Sequence, residues 1–354
     1  MGNTIGKILK LTTFGESHGQ AIGGIIEGFP AGIKIDFNLI KTDLQKRSAK
    51  SFPYSTPRHE PDNVEFLSGI FENKSLGTPI AFIVYNKNQN PNEYSNLKNI
   101  FRASHADYGY YSKYGIRDYR GGGRASARET IARVIGGSFA KMILSLYNIK
   151  IFSYIISLCG INIKSIELEH LKQSILNIPD SETEKEILNK LQEIHNKKDS
   201  CGGIIETKCF NVPAGLGEPV FDKLEAELAK AILSIPASKG IEFGEGFGFA
   251  KMFGSNSYDE FIIKNNKIIT KQNYNGGILG GISTGNEINF RTVFKPASTI
   301  NQPRNTVTID KKEKKYIPSG RHDTTFLPRA CIIVENMTAL VLADMILRNQ
   351  NSKK

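Results

Sequence analysis

Short apolar runs at residues 5–14, 21–26, 65–70, 79–86, 149–163, 202–212 and 287–294 predict strands. Helical spacing is clearest at Ile131, Val134, Ile135, Phe139, Met142, Ile143 and Leu146, which predicts an amphipathic helix over 127–147. Further helices are expected at 38–46, at 221–234 with Asp222 as N-cap, and at 337–348 as core packing. Residues 166–199 are charged and helical in pattern, so about 165–200 reads as a peripheral insertion in one domain spanning 1–354. No repeat and no βαβ alternation occurs; glycine clusters interleave with antiparallel-looking strand pairs. The expected class is α+β, with long helices filling against paired strands.

The loop feeding the 127–147 helix concentrates the chemistry. Gly121, Gly122 and Gly123 let the backbone approach a ligand closely. Ser126 and Glu129 stand three apart as a capping box, and a helix N-terminus offers unpaired N–H groups to an anion. Arg120, Arg124, Arg128 and Arg133 surround that end with forked donors suited to phosphate and carboxylate. Arginine there opposes the helix dipole, so an anionic ligand explains it better than helix stability does. The plainer alternative is a capped helix with a solvated basic face, and the distribution of arginine weakens it. Of 46 basic residues 13 are Arg, six of them lie between Arg102 and Arg133, and none occurs from Val134 to Phe290.

Composition narrows the partner. A 40% hydrophobic and 23% charged chain of 354 residues is ordinary for a globular protein with a large core. A formal charge of +11 admits nucleic acid, a membrane surface or a polyanionic small molecule. Lys, Asn and Ile are abundant everywhere, so much of that charge is background. Without a nucleic-acid module or an aromatic stacking ladder, the small molecule is favoured over nucleic acid. The first residues lack a signal-peptide pattern and no run of 18 apolar residues occurs, so a cytoplasmic protein without membrane contact is expected. Cys159, Cys201, Cys209 and Cys331 show no metal-ligand spacing; they are expected to be reduced and structural, with no metal site.

Gly15-Glu16-Ser17-His18-Gly19 fits G-x-S-x-G, but a nucleophile elbow needs a helix after its serine. The isoleucine-rich 21–26 reads as a strand, so a serine hydrolase is disfavoured. His105, beside Arg102 and just before the glycine loop, is a proton-handling candidate, as are the histidine and aspartate of Gly320-Arg321-His322-Asp323. A second glycine cluster at 276–281 precedes the Lys295-Pro296-Ala297-Ser298-Thr299 loop, which offers one ammonium and two hydroxyls.

Taken together and in order, several motifs resemble the chorismate synthase family from about Asn3 to Leu347. They are 15–19, Arg-x-x-His-Ala-Asp at 102–107, Arg124-Ala-Ser-Ala-Arg128-Glu-Thr, 215–222 (Gly-Leu-Gly-Glu-Pro-Val-Phe-Asp), 276–283 (Gly-Gly-Ile-Leu-Gly-Gly-Ile-Ser) and 320–323. The resemblance implies a β-α-β sandwich, helices between two antiparallel sheets, assembled as a homotetramer. It implies 1,4-elimination of phosphate from 5-enolpyruvylshikimate 3-phosphate to give chorismate, on reduced FMN and without net redox change.

By that resemblance His18 protonates or stabilises the reduced flavin, and His105 lies near the departing phosphate or the flavin carbonyl edge. Asp323 helps flavin N5 take the proton lost from C6, with Ser17 and Ser126 in support. Arg47, Arg102 and Arg128 grip the substrate anions. Flavin contacts fall to Arg124, Ala125, Ser126, Pro236 (where the family usually has Asn), Ala237, Gly280, Lys295, Pro296, Ala297, Ser298, Thr299 and Arg321. Either NADPH on this chain or an external flavin reductase supplies the electrons. The chain departs from the family at Lys46-Arg47-Ser48-Ala49-Lys50, where Arg-Arg-x-Pro-Gly is usual, and at Pro53, where a second Arg would fall. One anion contact is thereby put in question, with Lys50 or Arg58 as a substitute point charge. Thr324-Thr325 replaces the usual Pro-Cys.

Overall fold

The computed structural model describes residues 2–48, 52, 54–55, 62–87, 97–318, 322–350 and 352. Arg321, with Gly320, Lys50, Pro53 and Arg58, lies outside the described residues. The chain is α+β, with two five-stranded antiparallel sheets. The first runs β1 (Thr4–Ile5), β2 (Lys10–Gly15), β3 (Ala21–Glu27), β7 (Ile80–Tyr85), β4 (Glu65–Phe66). The second runs β11 (Ser238–Phe243), β16 (Ile288–Phe294), β10 (Gly203–Phe210), β8 (Lys150–Leu158), β9 (Ile161–Asn162). Two-stranded ribbons pair β5 (Ile70–Phe71) with β6 (Lys74–Ser75) and β12 (Phe261–Lys264) with β13 (Lys267–Thr270). Two more pair β14 (Ile278–Leu279) with β15 (Ile282–Ser283) and β17 (Arg304–Val307) with β18 (Glu313–Tyr316).

Seven helices are described: α1 (Phe37–Arg47), α2 (Asp107–Tyr114), α3 (Thr130–Ser145), α4 (Leu168–Leu171), α5 (Ser181–Asn196), α6 (Leu224–Leu233) and α7 (Leu327–Asn349). Strands β10 and β16 alternate buried and less buried positions, as half-buried strands do. Helix α3 packs on α7 and α1 and touches β2 and β3, while α7 lies against β8 and β10. Ile131, Ile135 and Phe139 of α3 are fully buried in the core with Phe82, Phe290 and Leu342. Phe139 meets Phe29 edge-on at 5.3 Å. Close approach of α3 to α7 depends on Gly137, where an added Cβ would fall 2.3 Å from the Asn336 Cβ.

Several elements differ from expectation for local reasons. Helix α7 begins at Leu327 because Pro328 sits in its first turn, where a missing N–H costs nothing. It is apolar nearly all round, and its most apolar window, long enough to cross a membrane, is 94% buried inside the protein as a core helix is. Asp222 does not cap α6; its carboxylate instead takes Lys7 and Arg348. Helix α2 has no apolar period and so gave no signal. Within 165–200, Leu176, Ile178, Ile187 and Leu191 are fully buried and join the main core cluster. Cys159 and Cys201, expected reduced, are paired as a disulfide, whereas Cys209 and Cys331 are free and buried.

Candidate active site

The turn between β2 and β3 buries Ser17 and His18, with Ser17 Oγ 3.1 Å from His18 Nδ1. The chain leaves this turn as strand β3, so the serine has no helix behind it. Gly121 of the glycine loop presses on the pair: its φ is +147°, and an added Cβ would lie 2.4 Å from His18 Nδ1. Only glycine fits there.

Between this turn, the glycine loop and the 295–299 loop opens a cavity of about 1330 Å³. Its wall brings together Ser17, His18, Arg102, His105, Arg124, Ala125, Ser126, Arg128, Pro236, Ala237, Lys295, Ser298 and Thr299. Arg47, Gly280, Pro296, Ala297 and Asp323 are not among the described residues that line it. Pro296 packs toward Gly202, and the Ala297 carbonyl accepts from Ser200 Oγ at 2.8 Å, so the middle of that loop faces the second sheet. Gly280 turns the β14–β15 ribbon. Asp323 accepts from Ser55 Oγ at 3.1 Å and pairs with Arg329 of α7. Arg47 pairs with Asp62. Arg321 lies outside the described residues.

The capping box takes a different form. Residues 123–125 and 127–129 are short 3-10 turns, and α3 starts only at Thr130. Ser126 Oγ accepts the Arg128 N–H at 3.3 Å, but the buried Glu129 carboxylate turns away. It accepts from Thr13 Oγ1 at 2.8 Å and from Arg133 Nε at 2.6 Å. Desolvating that carboxylate without such donors would be costly, which explains why it abandons the cap.

Carboxylates are what the residue-by-residue reading of the arginines missed. Arg102 forks onto Asp107 at 2.7 and 2.8 Å, and its Nη2 also donates to the Gly121 carbonyl at 3.1 Å. Burial pushes the Asp107 carboxyl up, but the Arg102 hydrogen bonds outweigh it and hold the group below its ordinary value. Arg120 forks onto Asp118, whose carboxyl is likewise lowered, chiefly by that bond. Arg124 donates to the Thr13 and Gly15 carbonyls at the end of β2, both at 3.2 Å. The signal was present in spacing: Asp107 follows Arg102 by five, Asp118 precedes Arg120 by two, and Glu129 precedes Arg133 by four.

His105 has both ring nitrogens engaged, Nδ1 with the Ala103 carbonyl and Nε2 with Thr299 Oγ1, each at 2.9 Å. A carbonyl can only accept, so in the neutral ring Nδ1 carries the hydrogen and Nε2 takes the threonine hydroxyl. Burial, and then the neighbouring Arg102 charge, lower its pKa below the ordinary 6.5. His105 is therefore neutral at pH 7, and its NMR titration midpoint should fall below 6.5. Because the folded value is the depressed one, stability is full above about pH 6.5 and declines as pH falls toward the folded pKa. A midpoint at or above 6.5 would contradict this environment.

Lys295 donates to Ser298 Oγ at 2.8 Å and to the Ser104 carbonyl at 3.2 Å, and burial followed by Lys239 lowers its pKa. Lys239, also in the wall, makes no ion pair among the described residues. Two ammonium groups facing one cavity make that side a ready place for an anion.

Comparison with known proteins gives a consistent result. Residues 9–347 match the family model described as chorismate synthase. The chain is 46% identical to the chorismate synthase of Phocaeicola vulgatus, covering all of both chains. It is 49% identical to that of Christiangramia forsetii over 99% of each chain. It is 46% identical to that of Methanosarcina mazei, over 98% of this chain and 97% of the relative. A crystal structure of chorismate synthase superposes with a TM-score of 0.77 at 30% identity, covering 98% of this chain and 93% of that one.

Proposed function

The chain belongs to the chorismate synthase family, and we propose that the cavity described above is where 5-enolpyruvylshikimate 3-phosphate loses phosphate to give chorismate. It is a carbon–oxygen lyase acting on a phosphate ester of a small molecule. One observation carries the assignment of the site: His18, His105, Arg102, Arg124 and Arg128, from separate segments, meet in a single wall. In the elimination the C6–H bond and the C3–O bond break on opposite faces. The C–H electrons enter the new diene and phosphate leaves with the C–O pair.

The residues present fit a flavin. The volume exceeds the roughly 300–1,000 Å³ of an ordinary ligand pocket, which leaves room for two ligands in contact. Phe14, Ile116, Pro236 and Ala237 offer apolar faces to a ring system, and Lys239 and Lys295 offer charge to a phosphate. When bound, reduced FMN supplies an electron-rich ring and a basic N5, with no net redox change. Arg124, Ala125, Ser126, Pro236, Ala237, Lys295, Ser298 and Thr299 would hold it. Gly280, Pro296, Ala297 and Arg321 rest on the family resemblance alone.

His18, braced by Ser17 and closed over by Gly121, stabilises or protonates the reduced ring. His105 presents Nε2, through Thr299, toward the departing phosphate. Arg102 and Arg128 hold the substrate anions from the cavity wall, and the same role for Arg47, which pairs with Asp62, rests on the family resemblance alone. Asp323, whose carboxylate is held by Ser55 and Arg329 away from the cavity wall, is given its part in removing the C6 proton by the family resemblance alone. Electrons come from NADPH or an external flavin reductase. The same reading includes a single domain, a cytoplasmic location and helices sandwiched between the two sheets, the last supported by α3 meeting the first sheet and α7 the second. Assembly as a homotetramer rests on the family resemblance alone.

The test is an anaerobic assay with the enolpyruvyl phosphate and pre-reduced FMN, then with oxidised FMN and NADPH. Chorismate is expected in the first arm, and its absence there would overturn the assignment. Product in the second arm means that the chain reduces its own flavin.

A further inference from the structure

Arg47 and Arg128 come from distant segments yet meet on one carboxylate. Asp62 Oδ1 accepts from Arg128 Nη1 at 2.8 Å, and Oδ2 accepts from Arg47 Nη2. All three side chains are about nine-tenths buried. A second contact fixes the stem of Arg128: its Nε donates to Asn86 Oδ1 at 3.0 Å. The Asn86 amide has one possible orientation, because its Nδ2 donates to the Glu16 carbonyl at 3.1 Å and to the Gly19 carbonyl at 2.8 Å. Those two carbonyls bracket the turn that carries Ser17 and His18.

We infer that Asp62 and Asn86 are positioning residues for the elimination, holding Arg128 as a preformed substrate-anion grip, with Arg47 as the buried second cation on Asp62, and tying that grip to the His18 turn. The inference rests on the reading of the cavity given above. Two guanidinium groups buried side by side repel each other, and a shared counter-ion is what lets both stay in place before substrate arrives. The pair plus Asp62 keeps one net positive charge, so the site still attracts an anion. Asn86 contributes direction rather than charge: by taking Nε it turns the far end of the Arg128 fork. A grip fixed in advance binds more tightly because less ordering remains to be done on association.

A double-mutant cycle decides the matter. Asp62→Asn should raise KM for the enolpyruvyl phosphate about tenfold while kcat stays within about threefold, the pattern of a lost ground-state contact. In an Arg128→Met background the same change should move KM less than about twofold, because the residue through which it acts is gone. Asn86→Leu should raise KM and lower kcat together, since it disturbs both Arg128 and the His18 turn. A merely structural Asp62 would lower the melting temperature with KM unchanged, and that result overturns the proposal. So does a fall in KM, which would make Asp62 a competitor that substrate must displace, and so does an equal effect in both backgrounds.

Calorimetric binding of shikimate 3-phosphate in the absence of flavin, to wild type and to Asp62→Asn and Asp62→Glu, covers two further cases. If wild type does not turn over, the reaction assignment fails; the positioning role then stands or falls on whether Asp62→Asn weakens this binding about tenfold. If Asp62→Asn does not fold, Asp62→Glu must bind more weakly than wild type for the role to survive.

Discussion

Replacing His105 with alanine should lower kcat by about one hundred- to one thousandfold, in the range for loss of a positioned acid–base group. The imidazole is half of a relay: Ala103 fixes the hydrogen on Nδ1, and Thr299 meets the lone pair on Nε2. Alanine removes both contacts and leaves Thr299 without its acceptor. Arg102 stays where it is, because Asp107 rather than His105 holds it. Flavin affinity should therefore change by no more than a few-fold in a fluorescence titration, while single-turnover rates collapse. Wild-type turnover in this variant would remove His105 from the proton-handling scheme. Substituting Gln, which restores a hydrogen-bonding group but cannot titrate in this range, should recover binding geometry without recovering rate.

Arg128→Ala should raise KM by about ten- to one hundredfold, as expected from losing charge-assisted hydrogen bonds worth about 1.5–3 kcal/mol. The fork is preformed on Asp62 and Asn86, so its interaction with substrate exists already in the ground state and is lost equally from the ground state and the transition state. For that reason kcat should move by less than about threefold. Steady-state kinetics over a wide substrate range distinguishes this from a transition-state contact, which would lower kcat with KM nearly fixed. That second pattern would show that Arg128 grips the phosphate as it departs rather than the substrate as it arrives.

Much of the architecture was legible because strong apolar patterning decides it. The α3 pattern from Ile131 to Ile143 is fully buried or nearly so, and the run at 21–26 is a strand as expected. Where polar residues govern the ends of elements, local rules lost to tertiary ones. Glu129 abandons its cap for Thr13 and Arg133, and Asp222 leaves α6 for Lys7 and Arg348. In each case a distant cation or hydroxyl offers a buried or half-buried carboxylate more than a local N–H does.

From residues alone came the α+β class, the anion-seeking glycine loop, and the suspicion that clustered arginine required a ligand. Those conclusions follow from spacing and chemistry that act over a few residues. Only the tertiary structure decided that Asp62 holds Arg128 and Arg47, and which of the expected site residues share the cavity with His18 and His105. Asp62 stands far from Arg128 in sequence, and Asp323 turns to Arg329 rather than lining the cavity. The physical reason is that charge pairing is satisfied by proximity in space, and no short-range periodicity records which distant carboxylate will arrive.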